Sequence, residues 1–149
     1  MTPTNEIGMT RGRYWELSDA ELEDFFKEMG SERASMSLTL DQLRSARVIV
    51  VERDHGQVIA VAGVRRAHRL NVAFYVVLAP FQRRGLGKAL VRRLHSALNR
   101  IGYRLVCLSV QCGNVPAVRL YRSKGYRTFF FRGDNLYMFR LLSRKDTQE

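Results

Sequence analysis

The chain has 149 residues, which suits one domain with a sizeable core, and its apolar content of 46% argues against a disordered polar chain. No apolar run reaches the length of a membrane-spanning helix, and Met1–Met9 lacks the charged and then apolar pattern of a signal peptide. The two cysteines, Cys107 and Cys112, are too few for a disulfide framework. We therefore expect free thiols, a cytoplasmic location and a single domain over residues 1–149.

The charge of the chain is unevenly distributed. The net charge is +11, and residues 1–54 hold eleven of the fourteen carboxylates. From His55 to Gly133 there is no Asp or Glu, but there are fifteen Lys and Arg residues. Such a block favours a polyanionic partner, either a phosphorylated cofactor or nucleic acid. The alternative for any single arginine is a solvated surface position.

In chain order, the first half is predicted to contain three strands and two helices. Ser18 is a candidate N-cap for the first helix, and Glu21 stands three residues later as its capping-box partner. The helix should end near Gly30. The segment Arg53–Gly56 has the composition of a hairpin turn. The strands are expected at Arg11–Leu17, Arg47–Glu52 and Gln57–Val64, and the second short helix at Leu38–Ser45.

The second half is predicted to continue with strands, two helices and a closing hairpin. Leu70–Leu78 is a nearly continuous apolar run, which suits a central strand buried on both faces. Gly85–Ile101 carries leucines at helical spacing. A strand at Leu105–Val110 and a short helix at Asn114–Lys124 follow. The hairpin is expected to pair Tyr126–Phe131 with Leu136–Leu142.

The most informative segment is Tyr75–Lys88, in which a strand is followed by a loop and a helix. Two glycines, Gly85 and Gly87, stand where the strand gives way to the helix. Glycine allows close approach of the backbone to a ligand, and the free N–H groups of the first helical turn attract an anion such as a pyrophosphate. The segment matches neither the Gly-Lys-Ser/Thr loop nor the three-glycine dinucleotide fingerprint.

Gln82–Gly87 (QRRGLG) resembles the Gln/Arg-x-x-Gly-x-Gly/Ala signature of the GNAT superfamily of acyl-coenzyme A-dependent N-acetyltransferases. A valine-rich strand precedes it and a second strand follows the helix. Asn114, Leu120-Tyr121 and Gly125-Tyr126 come next, which is similar to the second signature of that family. The resemblance covers residues 47–142 well and residues 1–46 only loosely.

The resemblance implies an α/β (α+β) fold with a mixed, strongly twisted central sheet of about six to seven strands. The sheet is expected to split between the fourth and fifth strands, Leu70–Leu78 and Leu105–Val110, and to be flanked by about four helices. Acetyl-coenzyme A is the implied cofactor, with its pantetheine arm lying in the split. No metal is implied.

The resemblance also implies roles for individual residues. The backbone of Val77 should meet the acetyl carbonyl or the neighbouring amide, and the N–H groups of Gln82–Gly87, with Lys88, should hold the pyrophosphate. Asn114 should line the pantetheine, and Tyr121 matches the tyrosine that protonates the departing thiolate. The implied cofactor-binding residues are Val76, Val77, Gln82, Arg83, Arg84, Gly85, Leu86, Gly87, Lys88, Asn114 and Tyr121.

The implied reaction moves an acetyl group to a primary amine by direct attack through a tetrahedral intermediate. The amine belongs to a small molecule, a peptide or a protein, and the enzyme is expected to be a monomer or a homodimer without membrane contact. By the resemblance, the usual position of the general base corresponds to Asn71, which cannot take a proton. Glu52, His68 or an N-terminal acid are the remaining candidates. The acidic segment Glu16–Glu32 is expected to attract a cationic amine.

Two other functions fit the same sequence. One is an acetyltransferase of this fold that acts on charged tRNA, with RNA held by the basic block. The other is a non-catalytic nucleic-acid-binding or regulatory module. No aromatic-interleaved RNA-binding motif is visible in the sequence, so transfer to a small or peptide amine ranks first.

Overall fold

A single mixed sheet organises the chain. The computed structural model describes residues 8–10, 13–30 and 38–143. Within these ranges the sheet has eight strands in the order β1-β2-β3-β4-β5-β6-β8-β7. The strands are β1 (Gly8–Thr10), β2 (Arg13–Trp15), β3 (Val48–Asp54), β4 (Gln57–Ala67), β5 (Leu70–Val77), β6 (Leu105–Gln111), β7 (Arg127–Arg132) and β8 (Asn135–Leu141). The helices are α1 (Asp19–Met29), α2 (Leu40–Arg44), α3 (Leu86–Ile101) and α4 (Val115–Ser123), with a 3₁₀ turn at Ala79–Phe81.

Two tight turns join the central strands β3, β4 and β5 into an antiparallel meander. His55 and Gly56 connect the first pair, and His68 and Arg69 connect the second. All four residues have positive φ, which is the backbone that two-residue hairpin turns of type I′ require. The turn predicted at Arg53–Gly56 is confirmed, and the meander fixes the register of β5, the strand that borders the candidate site.

Apolar side chains alternate between the two faces of the sheet and form two core clusters. Ala73, Tyr75 and Val77 of β5 face the cluster that packs under α3 and α4. Phe74 and Val76 face the cluster that packs under α1. Because β5 contributes to both clusters, its position in the sheet is held from both sides.

The sheet splits between β5 and β6, as the resemblance implies. These two strands are parallel and share one paired position, Val72 with Cys107. β6 then continues as a full antiparallel ladder with β8. The split therefore opens from Val72 toward the carboxyl ends of β5 and β6. The structure has one strand more than the sequence suggests, since β1 precedes the expected first strand.

Three residues differ from their predicted environments. Leu70, expected on a doubly buried strand, is exposed because β5 begins there beside a tight turn. Ile101, expected on the buried face of α3, is exposed at the last position of that helix. His95, which the leucine pattern of α3 did not single out, is buried.

Both cysteines are free thiols, as expected. Cys107 is buried, which raises the pKa of its thiol, and Cys112 is exposed. Among the described residues, none of the helices combines the length and the apolar character needed to span a bilayer.

Candidate active site

The open end of the split is bordered on one side by backbone groups of β5. Val77 stands opposite Ala60 of β4. The Leu78 N–H donates to the Ile59 carbonyl at 3.0 Å. Val77 therefore occupies a non-hydrogen-bonded position of the antiparallel pair, and its N–H and C=O point away from β4, into the split. By the same alternation, the backbone groups of Tyr75 also point there.

The other side of the split is bordered by β6. The Cys112 N–H donates to the Asp134 carbonyl at 2.8 Å, just beyond the pair Gln111 and Asn135. The alternation along this ladder turns the backbone groups of Ser109 away from β8 and toward the split. The split thus presents peptide groups from both strands, which is the arrangement that accepts an extended ligand as an extra strand.

Val76 differs from its neighbour in orientation. Its backbone lies at a hydrogen-bonded position opposite Val61 of β4, and its side chain is buried in the cluster under α1. Of the two adjacent valines singled out from the sequence, Val77 is the one whose polar groups face the split.

The N-terminus of α3 lacks a side-chain cap. Ser18, Thr39 and Asn114 cap α1, α2 and α4 with their side chains. The N-cap of α3 is Gly85, which has no side chain to cap the N–H groups of the first turn, formed by Leu86, Gly87 and Lys88. The positive end of α3, the longest helix among the described residues, is therefore available to an anion.

The two glycines serve different purposes. Gly85 has φ of +79°, a conformation that other residues reach only with strain, and a Cβ placed there would have no heavy atom within 4 Å. A Cβ on Gly87 would lie 3.2 Å from Cδ2 of Leu120 on α4. Gly85 therefore sets the turn into α3 and leaves space in front of it, whereas Gly87 allows α3 and α4 to approach closely.

Gln82 ties the loop to the end of β5. Its side-chain amide donates from Nε2 to the Val77 carbonyl at 2.9 Å. The contact places the loop beside the open end of the split. Arg83, next in the chain, has φ of +66°, so the loop turns through two left-handed residues, Arg83 and Gly85, before α3 begins.

Basic side chains surround this helix end. Arg83, Arg84 and Lys88 are all exposed. The Arg84 guanidinium lies 5.1 Å from the centre of the Phe81 ring, which keeps the charge close to the loop. These side chains and the α3 N-terminus form one positively charged region at the mouth of the split.

Asn114 lies at the N-terminus of α4, which follows β6. Its Oδ1 accepts a hydrogen bond from the Ala117 N–H at 3.3 Å, and the residue is exposed. The capping bond uses the carbonyl oxygen of the side chain, so the amide N–H₂ group takes no part in the cap. Because α3 follows β5 and α4 follows β6, both helices begin at the open end of the split.

A small cavity of about 120 Å³ lies in the split. Val72, Ala73 and Tyr75 of β5 line one side, and Ser109 of β6 and Tyr121 of α4 line the other. The Tyr121 ring is 5.4 Å from the Tyr75 ring, centre to centre. Burial raises the pKa of Tyr121 to about 12, so its hydroxyl keeps its proton at neutral pH.

Behind the cavity runs a hydrogen-bonded chain that the sequence did not reveal. The hydroxyls of Tyr75 and Tyr126 lie 2.8 Å apart, and the Tyr126 hydroxyl lies 2.9 Å from Nε2 of His95. Burial is the main cause that raises the pKa of Tyr75 and of Tyr126. The Tyr126 ring also packs edge-on against Tyr121, with centres 5.7 Å apart. These hydrogen bonds thus hold the Tyr75 and Tyr126 rings, both of which pack against Tyr121.

The residues considered as general base lie away from the cavity or are paired with an arginine. Glu52 on β3 lies 3.4 Å from the guanidinium of Arg93 on α3. Strands β4 and β5 separate β3 from the split. His68 is exposed in the turn before β5. Asn71 lies on β5 opposite Arg66. Among residues 13–30 and 38–143, the structure therefore assigns no protein base.

Most carboxylates in the described part of the acidic segment, residues 16–30, are bound to arginine. Glu16 lies 2.7 Å from Arg93, and Glu23 lies 2.6 Å from Arg44. Glu21 is bonded to Arg53, which is the main cause that lowers the pKa of Glu21. These ion pairs tie α1 to α2 and β3, and the residue after β2 to α3. Glu32, also counted in that segment, lies outside the described residues.

The profile of the acetyltransferase (GNAT) family matches residues 13–126. No curated protein sequence matches the chain.

Several solved structures share the fold. One is Ard1 from Thermoplasma volcanium, with 21% identity over 87% of this chain and 96% of that one and a TM-score of 0.71. A second is YncA, a putative acetyltransferase from Salmonella typhimurium solved with acetyl-coenzyme A, with 18% identity over 86% and 92% of the two chains and a TM-score of 0.69. A third is the ribosomal-protein-S18-alanine N-acetyltransferase from Escherichia coli, with 21% identity over 84% and 88% and a TM-score of 0.64.

Proposed function

Because the chain belongs to the acetyltransferase (GNAT) family, we propose that it transfers an acetyl group to a primary amine, as a single domain over residues 1–149. Acetyl-coenzyme A is the cofactor that the family assigns to it. The observation that carries the proposal is the uncapped, glycine-led N-terminus of α3 at the mouth of a split sheet, beside a cavity that contains a protonated tyrosine.

The residues present fit this cofactor. The pyrophosphate needs several hydrogen-bond donors and positive charge, and the first turn of α3 with Arg83, Arg84 and Lys88 offers both. The pantetheine arm carries amides, and the backbone groups of Tyr75 and Val77 point into the split at that level. The space in front of Gly85 leaves room for the phosphates to approach the backbone.

The bound cofactor supplies a thioester, whose carbonyl is open to attack and whose thiol is the leaving group. With the cofactor bound, the Val77 N–H, which points into the split, would donate a hydrogen bond to the carbonyl oxygen as negative charge develops on it. With the cofactor bound, Tyr121, which lines the cavity, would act as the acid that gives its proton to the departing sulfur. Asn114, exposed at the N-terminus of α4, would line the pantetheine arm from the α4 side.

The acceptor amine must be neutral when it attacks. Since the carboxylates and histidines considered above lie away from the cavity or are paired, we propose that the amine loses its proton to water before or during attack. Observed rates should then rise with pH as the population of neutral amine rises.

The salt dependence of cofactor binding follows from the exposed charges at the mouth of the split. Raising the ionic strength from 0.05 to 0.5 M should weaken acetyl-coenzyme A binding by about three- to tenfold, because exposed arginines and a helix end are screened. Isothermal titration calorimetry at several salt concentrations measures this. Arg84→Gln should flatten the dependence, whereas Arg100→Gln, at the opposite end of α3, should not. A flat response in the unmodified protein would assign the basic block to another task.

The pH dependence of the Tyr121 contribution follows from its raised pKa. A group with an ordinary tyrosine pKa of about 10 would lose its proton, and its use as an acid, through that pH. With the pKa raised to about 12, the rate ratio between the unmodified enzyme and Tyr121→Phe should stay constant from neutral pH to pH 10. Turnover measured for both enzymes across that range tests this. A ratio that declines around pH 9 to 10 would place the acid in a less buried environment.

The acceptor is best found by direct assay. Candidate amines of three kinds, small polyamines and amino acids, peptide N-termini and lysine side chains, are incubated with enzyme and acetyl-coenzyme A, and the released thiol is detected with a chromogenic disulfide. Amine-dependent thiol release together with an acetylated product of the expected mass supports the proposal. Cofactor binding without release against any amine would oppose it.

A further inference from the structure

The face of the sheet opposite α4 carries exposed aromatic rings. On this face, the rings of β7 pack in pairs against those of β8: Phe130 lies 5.7 Å from Tyr137, and Phe129 lies 5.9 Å from Phe139, centre to centre. Phe129 and Phe130 are each 52% exposed. We call these four residues the aromatic face.

Strand register explains why so many rings share one side. A register shift between Thr128 and Phe130 inserts one extra residue into β7. Without this bulge, Phe129 and Phe130 would alternate between opposite sides of the sheet; with it, both contact rings on the outer side of β8. The alternation then resumes, and Phe131, opposite Leu136, lies on the other side of the sheet and is 68% exposed.

The aromatic face is bordered by arginines. Arg127 pairs with Phe139 and Arg132 pairs with Asn135, so both lie on the same side as the rings, one at each end of β7. Arg65, which lines the cavity in the split, lies on this side as well, across β5 and β6. No Asp or Glu occurs between residues 55 and 133, so all three belong to the acid-free basic block.

We propose that the aromatic face is a binding surface for a single strand of nucleic acid. Exposed rings on a sheet stack with unpaired bases, and flanking arginines bind the phosphates between them. The inference does not depend on the proposed acetyl transfer. Ser109 lies on the same side of β6, between the aromatic face and the cavity, so a bound strand would pass beside the split.

The arginines at the two ends of β7 argue against a second copy of the chain as the occupant. β7 is the outermost strand, so a copy could pair with its free edge. In the antiparallel register that matches all six residues of β7, however, Arg127 of one copy would face Arg132 of the other. Like charges directly opposite each other destabilise a strand pair, whereas phosphates would neutralise the same arginines.

The test uses a fluorescently labelled 12-nucleotide oligouridine RNA and the full chain, with binding followed by anisotropy at low salt. The unmodified protein should bind, and Phe130→Ala should weaken binding roughly fivefold to a hundredfold, the usual effect of removing one stacking ring. Phe131→Ala is the matched control, because it removes an equally large exposed ring from the opposite side of the sheet. Arg127→Gln should lower the slope of log affinity against log salt by about 0.7.

Each other outcome opposes the inference. Failure of the unmodified protein to bind the RNA, or equal weakening by Phe130→Ala and Phe131→Ala, would overturn it. A dimer in sedimentation velocity that Phe130→Ala dissociates, without RNA binding, would assign the face to a second copy. Calorimetry with acetyl-coenzyme A on the same variants separates this test from the proposed function, since Phe130→Ala should leave cofactor binding unchanged.

Discussion

Replacing Gly85 with Glu should abolish measurable binding of acetyl-coenzyme A, with a loss of at least about a hundredfold in affinity. The new side chain would occupy the open space in front of the α3 N-terminus, and its carboxylate would compete for the same uncapped N–H groups as the pyrophosphate. Like charges at close range would add repulsion. Calorimetry with acetyl-coenzyme A measures the loss directly.

A matched control for this variant is Gly56→Glu. Gly56 has φ of +85°, close to the +79° of Gly85, and a Cβ at either position meets no heavy atom within 4 Å. Both variants therefore carry a similar backbone strain of about 1–2 kcal/mol and the same added charge. They should lower the melting temperature to a similar extent, but only the variant at Gly85 should lose the cofactor. Equal affinity of the two variants for acetyl-coenzyme A would show that the α3 N-terminus does not bind the cofactor.

The Tyr121→Phe variant should turn over about a hundredfold more slowly with cofactor affinity nearly unchanged. A positioned general acid contributes roughly a hundred- to ten-thousandfold to a rate. The lower end is expected, because a pKa raised to about 12 makes the hydroxyl a weaker proton donor and because a thiolate leaves readily. The ring remains, so its packing against Tyr75 and Tyr126 should persist.

The test compares the effect of Tyr121→Phe on kcat with its effect on cofactor affinity. It uses a confirmed acceptor and conditions in which chemistry is shown to limit the rate. Tyr14→Phe is a suitable control, since Tyr14 also packs partly buried against the core under α3, but lies on β2, with β3 and β4 between it and β5. Near-normal turnover in Tyr121→Phe would show that the hydroxyl is not the general acid and that Tyr121 serves only in packing.

Much of the fold is predictable from local signals. The capping box of Ser18 and Glu21, the glycines at helix ends and the period-two apolar runs each act within a few residues, so the sequence displays them directly. Their boundaries agree with the structure to within a few residues. Leu70 and Ile101, at the ends of β5 and α3, are exposed although their apolar character predicts burial. Burial at the end of an element depends on what packs there, and the spacing of apolar residues does not contain that information.

The site is less predictable, because its decisive features join distant segments. The orientation of Val77 toward the split follows from the register with β4, and the Tyr75–Tyr126–His95 chain joins residues up to 51 positions apart. The aromatic face was missed for the same reason. Its rings lie on two strands, and one inserted residue in β7 decides which side of the sheet they occupy. The sequence places these aromatics in a hairpin but does not reveal the bulge.

The single paired position between β5 and β6 has a consequence for how the molecule responds to its ligand. Peptide hydrogen bonds have preferred directions, whereas apolar packing is non-directional. Beyond Val72 and Cys107 the two halves of the sheet are held together mainly through the core they share under α3 and α4. The gap between them can therefore widen or narrow by slight sliding of side chains, without a ladder having to break. A ligand bound between the strands would add hydrogen bonds to both halves and make them unfold as one cooperative unit.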